Sequence, residues 1–337
     1  MFETVTLKGI TIRPALFLAP MAGITHSAFR RLVADFGGYG ALFTEMLSGS
    51  AVLRENLALS PFTKRRECEK SVIYQLLLNG EEDIPAIIAK LRAVMPFGID
   101  LNLGCPAPKI RTRSAGISLF HDAPRLDNTL ATLRRNWDGI LTVKCRLGND
   151  PKRWHEVFQE NIKIFGRHGV DAITIHPRFS KDKLKRRARW EFFPLIADLT
   201  DIPIIGNGDI ISFAPLAEKP QFFISLKGLM LGRIAVVKPW IFTEFFRPLS
   251  SGQSKTTIDY AEIWDRFYRY TVEDFPPEKA IGRIKEFTSY YARNFFFGHE
   301  LYRTVQGADD LRSLYANAQA FLSANPRICR EISVAGI

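Results

Sequence analysis

The stretch Leu141-Thr142-Val143-Lys144-Cys145-Arg146-Leu147, followed by Trp154–His168 and then by Ala172-Ile173-Thr174-Ile175-His176, decides the fold. Each outer run is short, β-branched and largely apolar, as a strand covered on both faces must be. The middle segment repeats its apolar residues at three-to-four spacing, which makes a helix with one buried side. Strand, crossover helix and strand give a parallel pair. Six more runs of the strand type occur, Ala15–Ala19, Ala41–Met46, Val72–Leu77, Gly98–Leu103, Ile202–Gly206 and Gly228–Gly232, with starts mostly 26 to 31 residues apart. Helical segments such as Ser27–Phe36 and Ile84–Val94 lie between them. Eight such units predict an α/β protein closed into a (β/α)8 TIM barrel. An open doubly wound sheet would carry a glycine-rich turn after its first strand, and Pro20-Met21-Ala22-Gly23 is not one.

Past the eighth run the pattern changes. Pro248–Thr257 is a Pro/Gly/Ser-rich connector, and Tyr260–Tyr270, Pro277–Phe297 and Asp309–Ser323 read as helices. The expected division is a barrel domain over 1–244 and a smaller all-α helical domain over 245–337. With 337 residues, 46% hydrophobic and 24% charged, the chain is neither disordered nor fibrous. Four cysteines without paired spacing, Cys68, Cys105, Cys145 and Cys329, imply reduced thiols and no structural metal. No apolar run reaches membrane-spanning length and Met1–Gly9 carries no leader pattern, so a cytoplasmic protein without a membrane partner is expected. Nothing in the sequence calls for an obligate protein partner. The net charge of +11 favours a polyanionic one.

Barrel enzymes carry their chemistry at the carboxyl ends of the strands. Here those ends are polar: Glu45, Gln75, Asn102, Lys144 with Arg146, His176, Asn207-Gly208-Asp209 and Gly232-Arg233. Taken singly, Gln75 or Asn102 is an ordinary buried amide, and Lys144, Arg146 and Glu45 suit a buried ion-pair network. Their coincidence on seven of eight strands favours a site. The glycine turns after strands seven and eight stand where barrels hold a phosphate, with Arg233 able to add a charged fork. Lys144 and His176 would donate to an electron-rich cofactor ring. Cys105 opens the long segment after the fourth strand and precedes Lys109, Arg111 and Arg113, a cationic setting that favours a reactive thiol. Cys145 and Cys68 read as core and surface thiols. Residues 178–189, RFSKDKLKRRAR, hold seven cations against one aspartate beside the mouth, and Lys279, Arg283, Tyr290 and Arg293 fall near one helix face. Both would meet phosphates of a folded RNA.

These residues resemble the tRNA-dihydrouridine synthases over nearly the whole chain. The motifs that carry the likeness are Leu18-Ala19-Pro20-Met21-Ala22-Gly23-Ile24-Thr25, Thr44-Glu45-Met46, Asp100-Leu101-Asn102-Leu103-Gly104-Cys105-Pro106 with Ala115-Gly116, Val143-Lys144-Cys145-Arg146-Leu147-Gly148, Ile175-His176-Pro177-Arg178, Ile205-Gly206-Asn207-Gly208-Asp209 and Met230-Leu231-Gly232-Arg233. The resemblance implies an FMN-binding barrel followed by a helical domain. FMN would be held by Pro20, Met21, Gln75, Lys144, His176, Asn207, Gly208, Asp209, Gly232 and Arg233. Cys105 matches the catalytic cysteine, and Asn102 and Arg178 match positions near the target base. Arg146, Arg186, Arg187, Lys279 and Arg283 complete the expected tRNA contacts. The implied reaction takes a hydride from NADPH onto FMN, passes it to C6 of a tRNA uridine, and uses Cys105 to protonate C5. The chain departs from the family pattern at Leu78, where a glycine is expected, at Phe179, where a small hydroxyl residue is usual, and in the Lys/Arg run before Trp190. Two other readings remain: a small-molecule flavin oxidoreductase of the dihydroorotate or dihydropyrimidine type, which would not need the 178–189 cations, and a catalytically silent RNA-binding barrel.

Overall fold

The computed structural model describes residues 2–182, 186–246, 258–329 and 332. Eight strands build the barrel: β1 (Leu16–Leu18), β2 (Ala41–Phe43), β3 (Val72–Leu77), β4 (Gly98–Leu103), β5 (Ile140–Arg146), β6 (Ala172–His176), β7 (Ile204–Asn207) and β8 (Gly228–Leu231). All pair in parallel with their sequence neighbours, and Leu231 on β8 lies opposite Leu18 on β1, which closes the ring. The TIM barrel expected from the periodicity is therefore present. Strands β3 to β6 are buried almost throughout, because helices cover their outer faces.

Helices Ser27–Phe36, Ile84–Leu91 and Trp154–Arg167 occupy the expected crossovers. β2 is shorter than its apolar run and stops at Phe43, so Glu45 lies beyond the strand, and Leu47–Ser48 rejoins the sheet beside β3. The surplus after β4 folds into three helical pieces, Pro108–Arg111, Ile117–Phe120 and Ala123–Asn136. An antiparallel hairpin, Val5–Leu7 with Ile10–Ile12, was not foreseen. Its Val5, Leu7 and Ile12 join Phe17, Phe43, Ile73, Ile140, Ile205 and Met230 in one apolar cluster. The hairpin thus seals the amino-terminal end of the barrel and leaves the carboxyl end as the open one.

Among the described residues, four helices form the C-terminal region: Tyr260–Asp274, Pro277–Tyr291, Gly298–Gln306 and Leu311–Ser323. Three were expected. The second ends at Tyr291 in a tight turn, Ala292–Asn294, and Gly298–Gln306 is an additional helix whose start has no side-chain cap to announce it. Phe29 of the barrel meets the rings of Phe267 and Phe287 at 6.4 and 6.2 Å, inside a continuous apolar cluster that reaches Leu314. Lys64, Arg66 and Ser27 converge on Asp274, and Arg31 pairs with Glu273. The connector Pro248–Thr257 lies outside the described residues. Among the described residues, no helix is long and apolar enough to cross a membrane.

Candidate active site

The carboxyl ends of the strands surround a cavity of about 350 Å³, within the range of small-molecule sites. Strand register dictates who meets whom. Gln75 stands opposite Asp100, Asp100 opposite Thr142, Asn102 opposite Lys144, and Arg146 opposite His176. Because alternate residues of a strand share a face, Asp100 and Asn102 point the same way, as do Lys144 and Arg146.

One wall, from β3 to β5, is a chain of amides. Gln75 Nε2 donates to Asp100 Oδ2 at 2.7 Å, and Thr142 Oγ1 donates to Asp100 Oδ1 at 2.6 Å. Gln75 Oε1 accepts from Asn102 Nδ2 at 2.8 Å, and Asn102 Oδ1 accepts the backbone N–H groups of Gly104 and Cys105 at 3.1 and 3.0 Å. Asp100 is fully buried. Burial pushes its carboxyl up to about 6, against the hydrogen bonds from Thr142 and Gln75 and the charge of Lys144. Burial likewise pulls Lys144 down to about 8, helped by Arg146 and opposed by Asp100.

The other wall, from β6 to β8, is built of guanidinium groups. Asp209 Oδ2 accepts from Arg178 Nη2 at 2.6 Å and from the Ala188 N–H at 2.8 Å, while Oδ1 accepts from Arg233 Nη2 at 3.0 Å. Arg178 Nη1 lies 2.6 Å from His176 Nε2. A guanidinium has only donors, so His176 Nε2 accepts, and the neutral ring carries its proton on Nδ1. Burial and the cations Arg146, Lys144, Arg178 and Arg233 hold this imidazole well below its usual range. Gly208 has φ +114°, and a Cβ there would sit 2.8 Å from His176 Cδ2. Only glycine fits between the histidine and the turn.

Cys105 opens onto the cavity between the walls. Its carbonyl accepts from Ile117 N–H at 3.2 Å across Gly116, whose φ of +61° and 2.9 Å clearance from that carbonyl admit no side chain. Lys144 and Arg146 of β5 line the same cavity. Lys109, Arg111 and Arg113, expected to supply the thiol's cationic setting, are exposed on the next short helix and the turn after it.

Of the residues named from the sequence, Pro20, Met21, Gln75, Asn102, Cys105, Lys144, Arg146, His176, Arg178, Asn207, Gly208, Asp209, Gly232 and Arg233 all line this one cavity. Arg186, Arg187 and Lys279 are exposed outside it. Arg283 lies over Phe62 and Phe275 at 5.6 and 5.7 Å, in the seam between barrel and helices. Three readings change. Glu45 is not part of an ion-pair network with Lys144; its Oε2 accepts the Gly23 N–H at 2.7 Å, and Asp100 is the acid beside Lys144. Arg178 is not a solvated loop cation, being 1% exposed. Asp182 is buried and pairs with Arg186 and Arg189, so part of the basic run is spent internally. Lys183 and Lys185 lie outside the described residues. Cys145 is buried and Cys68 exposed, as expected. Asp100 was missed as a site residue, although its i, i+2 spacing to Asn102 on an otherwise apolar, fully buried strand was the available signal.

A family model described as Dihydrouridine synthase (Dus) matches residues 17–325. This chain belongs to the dihydrouridine synthase family. It is 31% identical over 335 residues to tRNA-dihydrouridine synthase B of Pseudomonas putida, covering 95% of each chain. It is 29% identical over 325 residues to tRNA-dihydrouridine synthase B of Proteus vulgaris, covering 92% of this chain and 97% of that one. Solved structures of histamine dehydrogenase from Rhizobium sp. 4-9 (TM-score 0.54, 11% identity, 72% of this chain and 47% of that one) and of morphinone reductase in complex with tetrahydroNAD (0.50, 9%, 73% and 91%) share the barrel fold. As a dihydrouridine synthase family member the chain is an oxidoreductase, and its cavity lies where such barrels keep their chemistry.

Proposed function

We propose that the protein is an FMN- and NADPH-dependent enzyme that reduces a uridine of tRNA to 5,6-dihydrouridine, acting in the cytoplasm where its substrate is. The observation that supports this most is the convergence of Cys105, Lys144, Arg146, His176 and Arg233 on one cavity. The donor set suits a flavin. Gln75 has one amide N–H left to offer, His176 offers Nδ1–H, and Lys144 is an ammonium below about pH 8, so an acceptor-rich ring edge is matched. Pro20 and Met21 would contact the ring through backbone. Gly208, Gly232 and Arg233 would face the phosphate, with Asp209 and Asn207 fixing their positions.

FMN, held here and reduced by NADPH, would supply the hydride needed at C6 of the base. Asn102, Arg146 and Arg178 would hold the base, which must leave the RNA stack to enter a cavity of this depth. As C6 gains hydrogen, the C5=C6 electron pair moves to C5 and takes the Cys105 thiol proton. Two C–H bonds would form as the C5=C6 π bond, the hydride donor's bond to hydrogen and the S–H bond break, and the thiolate would regain its proton from solvent. Met46, Ile210, Ile211 and Met230 line the cavity and would limit water beside the reacting atoms. The barrel, 1–244, would then carry the chemistry, while 245–337 with Arg186, Arg187, Lys279 and Arg283 would serve tRNA.

Absorbance of the purified protein tests the reading. It should show the visible absorbance of an oxidised isoalloxazine, bleach with NADPH, and release FMN on denaturation. A colourless protein that FMN does not reconstitute removes the enzyme assignment.

A further inference from the structure

The bond directions in the amide wall all follow from one buried group. Asp100 offers two carboxylate oxygens and, at neutral pH, no proton, so Gln75 must present its Nε2 to it. The amide then has its oxygen at the other end, where Asn102 must present Nδ2. That fixes Asn102 Oδ1 toward the chain, at the only place where it can accept from both Gly104 and Cys105 N–H. Reverse any one amide and two donors or two acceptors face each other across less than 3 Å, a buried mismatch that neither partner can relieve. Asp100 itself does not line the cavity.

We infer that Asp100 is a positioning residue: through Gln75 and Asn102 it sets the polarity of the hydrogen-bond chain and thereby holds the Gly104-Cys105 backbone, and the thiol, in place. It touches no substrate. Its effect on the thiol's placement rests on geometry alone, while its effect on turnover rests on the function proposed above.

Thr142 makes the idea separable from a charge effect. Its hydroxyl now donates to Asp100, but a hydroxyl can also accept. In Asp100→Asn the new amide can therefore give its NH2 to Thr142 and its carbonyl to Gln75, so the charge is lost and the direction is kept. Asp100→Leu removes the acceptor, and Asp100→Ser leaves a hydroxyl too short to reach Gln75.

The experiment measures alkylation of Cys105 by iodoacetamide in the full-length protein, read peptide by peptide, with the exposed Cys68 as internal control and the melting temperature as a check on folding. Asp100→Asn should keep the Cys105 rate within about twofold of wild type. Asp100→Leu and Asp100→Ser should change it at least about fivefold with Cys68 unaltered, and should lower kcat for tRNA more than they raise KM. Should Asp100→Leu fail to fold, Asp100→Ser and Asp100→Asn still decide. An unchanged Cys105 rate in Asp100→Ser overturns the inference, as does an Asp100→Asn rate that moves as far as that of Asp100→Ser, which would transfer the role to charge. A normal alkylation pattern in a protein that makes no dihydrouridine would instead count against the functional reading alone.

Discussion

The two walls of the mouth are each organised by one aspartate, but by different chemistry. Asp100 is sealed off and works through neutral amides, so its influence is directional and short in reach. Asp209 has its side chain 23% exposed and binds two guanidinium groups, so its influence is electrostatic. Amides in a chain have only one self-consistent orientation, which suits the wall that must place a sulfur atom. Guanidinium groups are always charged and fork-shaped, which suits the wall that must meet an anion. On the proposed function, the first wall would place the thiol and the second would meet the cofactor's phosphate.

The comparison can be broken most severely at Cys105. Cys105→Ala should bind FMN as the wild type does and be reduced by NADPH, yet form dihydrouridine roughly 10²- to 10⁴-fold more slowly, the range for loss of a general acid. Turnover near that of the wild type would leave the amide wall without a purpose. On the opposite wall, Asp209→Ala removes the acceptor shared by the buried Arg178 and the partly buried Arg233 guanidinium groups. It should weaken FMN binding about tenfold or more and lower stability by about 1–3 kcal/mol, measured by flavin titration and denaturant unfolding, with Cys105 alkylation unchanged.

Lys144 sharpens the contrast through pH. Its proton is lost as pH rises through about 8, so turnover should fall on that limb. Lys144→Arg, still charged there, should remove the limb, and a limb that survives would assign it to another group. Its lowered value also means that the unfolded chain holds this proton longer, so between about 8 and 10.5 this group makes stability rise with pH. The smallest effect is expected outside the cavity. Charge reversal at Arg186 and Arg187 should weaken tRNA binding and reduce the salt slope by about one to two units, leaving FMN affinity untouched. An unchanged slope would return both residues to ordinary solvated surface.

Much of this was legible in the sequence, for identifiable reasons. Buried parallel strands need β-branched runs, and those runs mark β3, β4 and β6 to the residue. Strand-end polarity marks the mouth, because inward polar residues near a rim are costly unless they are used. What escaped was what depends on partners from elsewhere in the chain. Arg178 was named as a base contact and as a cation of the basic run, but only the folded chain sets it against His176 and Asp209. Asp100 looked like part of a strand, since nothing local shows that Gln75 and Thr142 will converge on it. The helix Gly298–Gln306 was missed because it has a glycine in its first position and Phe297 before it, in place of a capping side chain. The N-terminal hairpin was missed because its strands are three residues each; its turn, Lys8-Gly9 with φ of +48° and +77°, was the one available cue.

The most direct measurement mixes NADPH-reduced holoenzyme, without oxygen, with a tRNA transcript that carries no modified bases. The account predicts that the flavin is reoxidised in step with dihydrouridine appearing at a defined position, and that Cys105→Ala slows both. A flavin that stays reduced beside an unaltered transcript would contradict it.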